Sequence, residues 1–163
     1  MRTFSPAHRR YIESIMAEIL RHYGDNLSGL AVFGSYARKE NRKDSDIDLL
    51  IILGEAPRRR ERIAEFVDEI ELKHEHLAQR LYEDEGIFCE LSPYILTEAE
   101  ALKVQPIYFD LVADHVVVSD PRGIVARIIT SMDALLRKVG ARRVRRNNTW
   151  EWQVGRFLGG VQL

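Results

Sequence analysis

Residues 27–53 read LSGLAVFGSYARKENRKDSDIDLLIIL, two apolar runs joined by a polar loop. The first run, Leu27–Phe33, is short and partly β-branched and continues into Gly34, which predicts a strand that feeds a turn. A short helix is expected to follow this turn. The second run, Ile47–Leu53, is apolar except at Asp48, as expected of a strand that is buried on both faces. We therefore expect the fold to be organised around these two strands.

The polar residues beside these strands have the chemistry of a phosphate and metal site. Side chains alternate across a strand, so Asp46 and Asp48 are expected on one face with their Cα atoms roughly 7 Å apart. Two carboxylates arranged in this way can bind a hard cation such as Mg²⁺, which often takes its remaining ligands from substrate phosphates. The backbone at Gly34 allows close approach of a ligand, and the following amides with the Ser35 hydroxyl are expected to bind an anion.

Paired acids at a strand edge also have a simpler interpretation. Such residues are often solvated, or they protect the edge against pairing with another chain. The apolar residues on both sides of Asp48 argue against this interpretation. A carboxylate inside an apolar strand is costly unless a partner such as a metal compensates its charge.

The segment also resembles a known family signature, that of the minimal nucleotidyltransferases in the DNA polymerase β-like superfamily. The family pattern is Gly-Ser, then Ala-Arg, then a loop that ends in Ser-Asp-x-Asp before apolar residues. The chain matches this pattern at Gly34, Ser35, Ala37, Arg38, Ser45, Asp46 and Asp48. The resemblance implies transfer of a nucleoside monophosphate from an NTP to a hydroxyl acceptor, with release of pyrophosphate.

By this resemblance, Asp46 and Asp48 would hold two Mg²⁺ ions, while Gly34, Ser35 and Arg38 would bind the nucleotide, with ATP as the expected NTP. The two ions would activate the attacking hydroxyl and neutralise the triphosphate.

The superfamily usually adds a third acidic residue from a neighbouring strand, and Glu90 is the candidate for this catalytic and metal-binding role. It departs from the pattern because aspartate is usual there. Phe88 and Ser92, which would share a strand face with Glu90, do not settle which face that is. A solvent-facing strand acid is therefore an equal interpretation.

Apolar periodicity predicts further helices and strands along the chain. A helix is expected after Ser5, a long amphipathic helix at 58–81 and a third strand at 87–96. Pro93 cannot donate to a β-ladder, so it places the third strand at an edge or a bulge. A fourth strand at 115–118 and a last helix from Pro121 to Gly140 complete the pattern. The expected fold class is α/β (α+β), a small mixed β-sheet flanked by helices in the polymerase-β-like arrangement.

The charge of the chain changes sign along its length. Residues 1–120 carry 15 Lys and Arg against 23 Asp and Glu, whereas residues 121–163 carry 9 against 2. We expect residues 1–120 to form the nucleotidyltransferase core and residues 121–163 to form a basic helical C-terminal extension packed on the same domain. The basic part could meet nucleic-acid phosphates or an acidic partner. A solvated helix end is the simpler interpretation, because no aromatic residue alternates with the arginines.

Composition indicates a cytoplasmic protein with no membrane association. The single cysteine, Cys89, excludes an intrachain disulfide and fits a reducing compartment. The N-terminus lacks the apolar core of a signal peptide, and no apolar run approaches the roughly 18 residues of a membrane span.

The acceptor is not visible in the sequence, and three functions remain open. An enzyme would modify an RNA such as tRNA, a partner protein or a small molecule. An antitoxin-like binding module would neutralise a helical ribonuclease-type toxin, with or without catalysis. A degenerate nucleotide sensor would bind phosphates without transfer. A homodimer through the apolar last helix is a further expectation.

Overall fold

The computed structural model describes residues 1–146 and 149–153. Helix α1 spans Pro6–Tyr23, and a 3₁₀ turn at Gly24–Asn26 leads into the first strand. The Ser5 hydroxyl caps α1 by accepting from the backbone N–H of His8 at 3.1 Å, as the Ser-Pro start predicts. No helix within the described residues is both long and apolar enough to cross a membrane.

A four-stranded mixed sheet forms the centre of the fold. Its strands are β1 (Leu27–Phe33), β2 (Ile47–Leu53), β3 (Leu91–Thr97) and β4 (His115–Ser119), in the order β3-β2-β1-β4. β1 runs antiparallel to β2 and β4, whereas β2 and β3 are parallel. The predicted mixed sheet is therefore confirmed, and β3 lies at an edge, as Pro93 requires.

Helices cover both faces of this sheet. One face packs against α1 and a long helix made of α3 (Arg59–Phe66), a π-helical turn (Val67–Glu71) and α4 (Leu72–Glu85). The other face packs against α6 (Tyr108–Ala113) and α7 (Ile124–Lys138), and the short helices α2 (Gly34–Arg38) and α5 (Glu98–Ala101) follow β1 and β3. The apolar side chains of α7 are buried in this second core, namely Val125, Ile128, Met132 and Leu136. That face is thus used within the chain, and a homodimer stays a prediction.

The third strand begins later than its apolar pattern predicts. The expected start was Ile87, but the long helix continues to Glu85 and β3 begins only at Leu91. The intervening residues bond elsewhere: the Phe88 N–H donates to the Lys43 carbonyl at 2.7 Å. Pairing with β2 starts where the Ile47 N–H donates to the Glu90 carbonyl at 2.9 Å.

The C-terminal extension is helical only in part. Helix α7 confirms the predicted last helix, but the arginine-rich residues beyond it form a β-hairpin, β5 (Arg142–Arg146) with β6 (Thr149–Gln153). The expectation of a solvated helix end is therefore wrong for these residues. Gly140, with φ 65, lies between α7 and β5. The arginine-rich segment is extended because it pairs with β6, the strand that carries Trp150 and Trp152. Residues 154–163 of the extension lie outside the described residues, and the division at residue 120 stays a prediction.

Candidate active site

Gly34 and Asp48 are in direct contact at the end of the sheet where β1 finishes and β2 begins. Gly34 has φ 67, a conformation that side chains other than glycine rarely adopt. An added Cβ would overlap with Asp48 Oδ2 and would lie 2.9 Å from its Cγ. The glycine of the turn and the aspartate of the neighbouring strand therefore form one packed unit.

Asp48 is a half-buried carboxyl group with an unusual proton affinity. Burial, and next to it the charge of Asp46, raises the pKa of Asp48 from 3.8 to about 6. The Arg38 guanidinium and the Ser92 hydroxyl favour the charged form, whereas the charge of Asp110 on α6 opposes it. The two predicted aspartates thus lie close enough to interact, with Asp46 exposed just before β2 and Asp48 within it. A bound cation would relieve the repulsion between Asp46 and Asp48.

Arg38 connects the turn to the C-terminal hairpin. Its Nε donates to Glu40 Oε2 at 3.3 Å, and its side chain is 19% exposed. The same Glu40 oxygen accepts from the indole N–H of Trp150 at 3.3 Å. Arg38 therefore interacts with two acids, Glu40 and Asp48. Ser35 is partly exposed in the same short helix.

A network of buried polar side chains packs against the turn through Tyr36. The Tyr36 side chain has no exposed surface, and its hydroxyl lies 3.2 Å from Nε2 of the equally buried His8. Because the Phe4 N–H donates to His8 Nδ1 at 3.3 Å, the neutral imidazole carries its proton on Nε2 and donates it to the Tyr36 oxygen. Asn41, also buried, lowers the pKa of Tyr36 against the larger effect of burial, and its amide nitrogen donates to the Arg2 carbonyl at 3.2 Å.

Glu90 lies next to the start of β2, where its carbonyl accepts from the Ile47 N–H. It is exposed and directly precedes β3, and its charge raises the pKa of Glu71 after the larger effect of burial. Glu71 belongs to the long helix on the opposite face of the sheet from Asp48. Ser92, which pairs with Asp48 across the β2–β3 ladder, occupies the place beside the aspartate. Glu90 as third carboxylate stays a prediction, and it requires the side chain to turn away from Glu71.

Among residues 1–146 and 149–153, no three His, Cys, Asp or Glu side chains are grouped tightly enough to hold a metal ion. Asp46 and Asp48 still fit Mg²⁺, because this ion is commonly held by one or two carboxylates with water and substrate phosphates completing its shell. The raised pKa of Asp48 shows a carboxylate whose desolvation a cation would offset. The site is therefore suited to an ion that arrives with its substrate.

Several neighbours of the site could not be found from the motif. Ser92 and Asp110 reach Asp48 only through strand register and helix packing, and His8 reaches Tyr36 from a helix far away in sequence. Among these neighbours, only Glu40 and Asn41 had a local sequence signal, the polar loop in which they lie.

Comparisons with known proteins bear on the family and on the fold. Residues 13–90 match the model of the nucleotidyltransferase domain family. Spectinomycin adenyltransferase AAD(9) from Enterococcus faecialis, solved with ATP and spectinomycin, is similar in structure: the match has a TM-score of 0.52 and 13% identity and covers 78% of this chain and 66% of that one. This similarity shows the fold.

Two more distant matches come from toxin-antitoxin structures. One is a toxin-antitoxin structure with AMP-PNP, at TM-score 0.43 and 14% identity, covering 78% of this chain and 92% of that chain. The other is the complex of tri-AMPylated Shewanella oneidensis HEPN toxin with MNT antitoxin, at TM-score 0.34 and 13% identity, covering 82% and 92%. Both are too distant to bear on function. No curated protein matches the chain significantly.

Proposed function

The chain belongs to the nucleotidyltransferases through residues 13–90, and we propose that it transfers a nucleoside monophosphate from an NTP to a hydroxyl acceptor. The acceptor oxygen forms a bond to the α-phosphorus, the bond from that phosphorus to the pyrophosphate oxygen breaks, and the hydroxyl proton passes to a base or water. The observation that carries this proposal is the packed Gly34–Asp48 unit, with a charged aspartate neighbour on one side and Arg38 on the other.

Each residue of the site has a distinct part in this reaction. Asp46 and Asp48 hold Mg²⁺, which when bound neutralises the triphosphate and lowers the pKa of the acceptor hydroxyl. The backbone at Gly34 and Ser35 follows the phosphates, and Arg38 neutralises one of them. Glu90 is proposed as the third carboxylate, on the acceptor side.

ATP is the proposed nucleotide, and an RNA or a protein is the proposed acceptor. The family match of residues 13–90 supports nucleotide transfer and leaves the acceptor open. A hydroxyl on either acceptor satisfies the chemistry of the site.

Calorimetric titration of ATP, GTP, CTP and UTP in the presence of Mg²⁺ tests the site without knowledge of the acceptor. The wild type is expected to bind at least one NTP, and the double variant Asp46→Asn, Asp48→Asn to bind none. A control with the exposed acids Asp25 and Asp84 replaced by asparagine is expected to bind as the wild type does. Equal NTP binding by the double variant would overturn the assignment of the site.

A second candidate function is recognition of a toxin-like helical protein. It is favoured by an exposed aromatic pair at the end of α4: Tyr82 and Phe88 are each 49% exposed, with ring centroids 4.8 Å apart. Exposed apolar side chains of this size are often contact points for a partner. If binding alone is the function, the double variant Asp46→Asn, Asp48→Asn still protects cells from the toxin, whereas Tyr82→Ser, Phe88→Ser does not. Loss of protection in the aspartate variant assigns the effect to nucleotide transfer.

A further inference from the structure

The loop that leads from α2 to Asp46, residues 39–46, is held by segments that lie far away in sequence. Its last part is a turn: the Ser45 N–H donates to the Arg42 carbonyl at 3.2 Å, and the Arg42 N–H donates to the Ser45 hydroxyl oxygen at 2.9 Å. Asp46 directly follows this turn and precedes β2. Contacts that fix the loop therefore also fix the position of the Asp46 carboxylate.

Asn41 fixes one side of this loop. It is fully buried, although its neighbours Glu40 and Arg42 are exposed. Its Nδ2 donates to the Arg2 carbonyl at 3.2 Å, whereas its Oδ1 is buried without a hydrogen-bond partner in the part of the chain that the structure describes. Burying an unpaired amide oxygen costs free energy and offsets the gain from the hydrogen bond. Asn41 therefore contributes little to the stability of the fold, and its contact sets where the loop lies.

The N-terminal segment, residues 2–5, is a fixed support for Asn41. The Phe4 ring stacks on the imidazole of buried His8, with ring centroids 5.4 Å apart and 4° between the planes. The Arg2 guanidinium lies 5.0 Å from the centroid of the Phe4 ring. The Ser5 hydroxyl donates to Glu85 Oε1, at the end of α4, at 2.9 Å. These contacts join the N-terminal segment to both α1 and α4.

The same end of α4 fixes the other side of the loop. Lys43 Nζ donates to the Glu85 carbonyl at 2.6 Å, and the Phe88 N–H donates to the Lys43 carbonyl at 2.7 Å. The loop is thus held between residues 2–5 and residues 85–88, which are themselves joined by the Ser5–Glu85 hydrogen bond.

We propose that Asn41 is a positioning residue for metal and nucleotide binding: through its bond to the Arg2 carbonyl, the N-terminal segment holds residues 39–46, and with them Asp46, where the ion and the NTP require it. This inference rests on the proposed function. Asn41 acts through the loop backbone, in the way that polar groups around a metal site orient its ligands. A residue with a purely structural role would change stability and leave the NTP affinity of the folded protein unchanged.

The binding test compares Asn41→Ala with Asn26→Ala by calorimetry, using Mg²⁺ and the NTP that the wild type binds. Asn26 also joins two loops, but at the opposite end of the sheet: its Nδ2 donates to the Glu55 carbonyl at 2.8 Å, and its Oδ1 accepts from the Glu55 N–H at 2.9 Å. Asn41→Ala is expected to bind the NTP about tenfold more weakly than the wild type, and Asn26→Ala to bind it equally well. Urea denaturation of Asn41→Ala is expected to match that of the wild type, which separates positioning from stability.

Limited digestion with trypsin tests the loop without any nucleotide, because Lys39, Arg42 and Lys43 are exposed within it. Asn41→Ala is expected to be cut after Lys43 several times faster than the wild type and Asn26→Ala, since local opening admits the protease. Phe4→Ala is expected to have the same two effects to a smaller extent, because it removes only the ring that packs on His8. Mass spectrometry of the fragments identifies the site of cleavage.

Equal NTP affinity of Asn41→Ala and Asn26→Ala, or equal rates of loop cleavage in Asn41→Ala and the wild type, would overturn the proposal. Absence of NTP binding by the wild type would overturn the proposed function, and the nucleotide role of Asn41 with it. The digestion distinguishes the two failures, because it reports on the contact between the N-terminal segment and the loop alone.

Discussion

The Gly34–Asp48 unit and the β5–β6 hairpin border the same site but are built in opposite ways. The first lies inside the sheet, where a glycine backbone and a half-buried carboxyl leave no room for another atom. The second lies outside the sheet and is joined to it through a few side chains, chiefly Trp150, Trp152 and Arg143. Tight packing suits groups that must hold a metal and a triphosphate in one geometry, whereas a ribbon attached through a few side chains is less constrained. Changes in the first region should remove NTP binding, and changes in the second should leave it in place.

The largest effect is expected from Gly34→Ala. The new methyl group would overlap with the Asp48 carboxylate and would require φ 67 from an alanine, so we expect about 3 kcal/mol of lost stability and no NTP binding. Chemical denaturation and calorimetry measure both quantities. Gly86→Ala is the matched control, since Gly86 has φ 65 but nothing within 4 Å of an added Cβ. It should cost about 1 kcal/mol and keep NTP binding. Similar losses in both variants would show that backbone strain alone explains the first.

The next effect concerns Asp48 and pH. Its folded pKa of about 6 lies above the ordinary value of 3.8, so its protonated form stabilises the fold below pH 3.8, and this contribution is lost as the pH rises through 6. The variant Asp48→Asn avoids this loss of stability, because asparagine carries no charge at any pH. Discounting for partial exposure, we expect it to be more stable than the wild type by about 1 kcal/mol at pH 7.5.

At pH 3.5 the two proteins should have similar stability. Urea denaturation at both pH values measures the difference, with Asp25→Asn as the exposed control. A variant that is less stable than the wild type at pH 7.5 would contradict a desolvated, repelled carboxylate.

A smaller effect is expected behind the turn. Tyr36→Phe removes the hydrogen bond to His8 and should cost about 1 kcal/mol. Tyr108→Phe is a matched control, because its buried hydroxyl donates to the Ala101 carbonyl at 2.8 Å and not to a group of the turn. At similar stability, only Tyr36→Phe should weaken NTP binding, as measured by calorimetry. Equal NTP affinity in the two variants would show that the network does not position the turn.

The smallest effect is expected at the hairpin contact. Trp150→Phe keeps an aromatic ring for Arg143 but loses the indole donor to Glu40, which should change stability by about 0.5 kcal/mol. NTP affinity should stay as in the wild type, because Arg38 remains in place. A large loss of NTP affinity would mean that the hairpin is part of the nucleotide site.

The sequence predicted the sheet centre well because local signals agree there. The apolar runs of β1 and β2 have the observed bounds, Leu27–Phe33 and Ile47–Leu53, since each ends at a turn residue or a charge. The nucleotidyltransferase resemblance and the mixed sheet are likewise confirmed. The site beside Asp48 was less predictable, because a change of one residue in strand register exchanges the two faces of a strand. The N–H groups of residues 86–88 donate to the end of α4 and to the loop, so the ladder with β2 begins only at Glu90 and places Ser92 opposite Asp48.

The β5–β6 hairpin could not be predicted from the sequence for a different reason. Strand β5 has only Val144 as an apolar residue, so period-2 alternation gives no signal there. Its partner strand and the contacts of Trp150 and Trp152 come from tertiary packing. Arginine content alone equally suits a helix end.

Electron paramagnetic resonance of Mn²⁺, used in place of Mg²⁺, tests the central claim most directly, because the spectrum distinguishes free from bound ion without any acceptor. We predict that wild-type protein and Gly86→Ala retain Mn²⁺ when ATP is present, and that Gly34→Ala and the Asp46→Asn, Asp48→Asn variant retain no more than ATP alone. Full Mn²⁺ retention by the aspartate variant, or none by the wild type with ATP, would contradict a metal-nucleotide site at the Gly34–Asp48 unit.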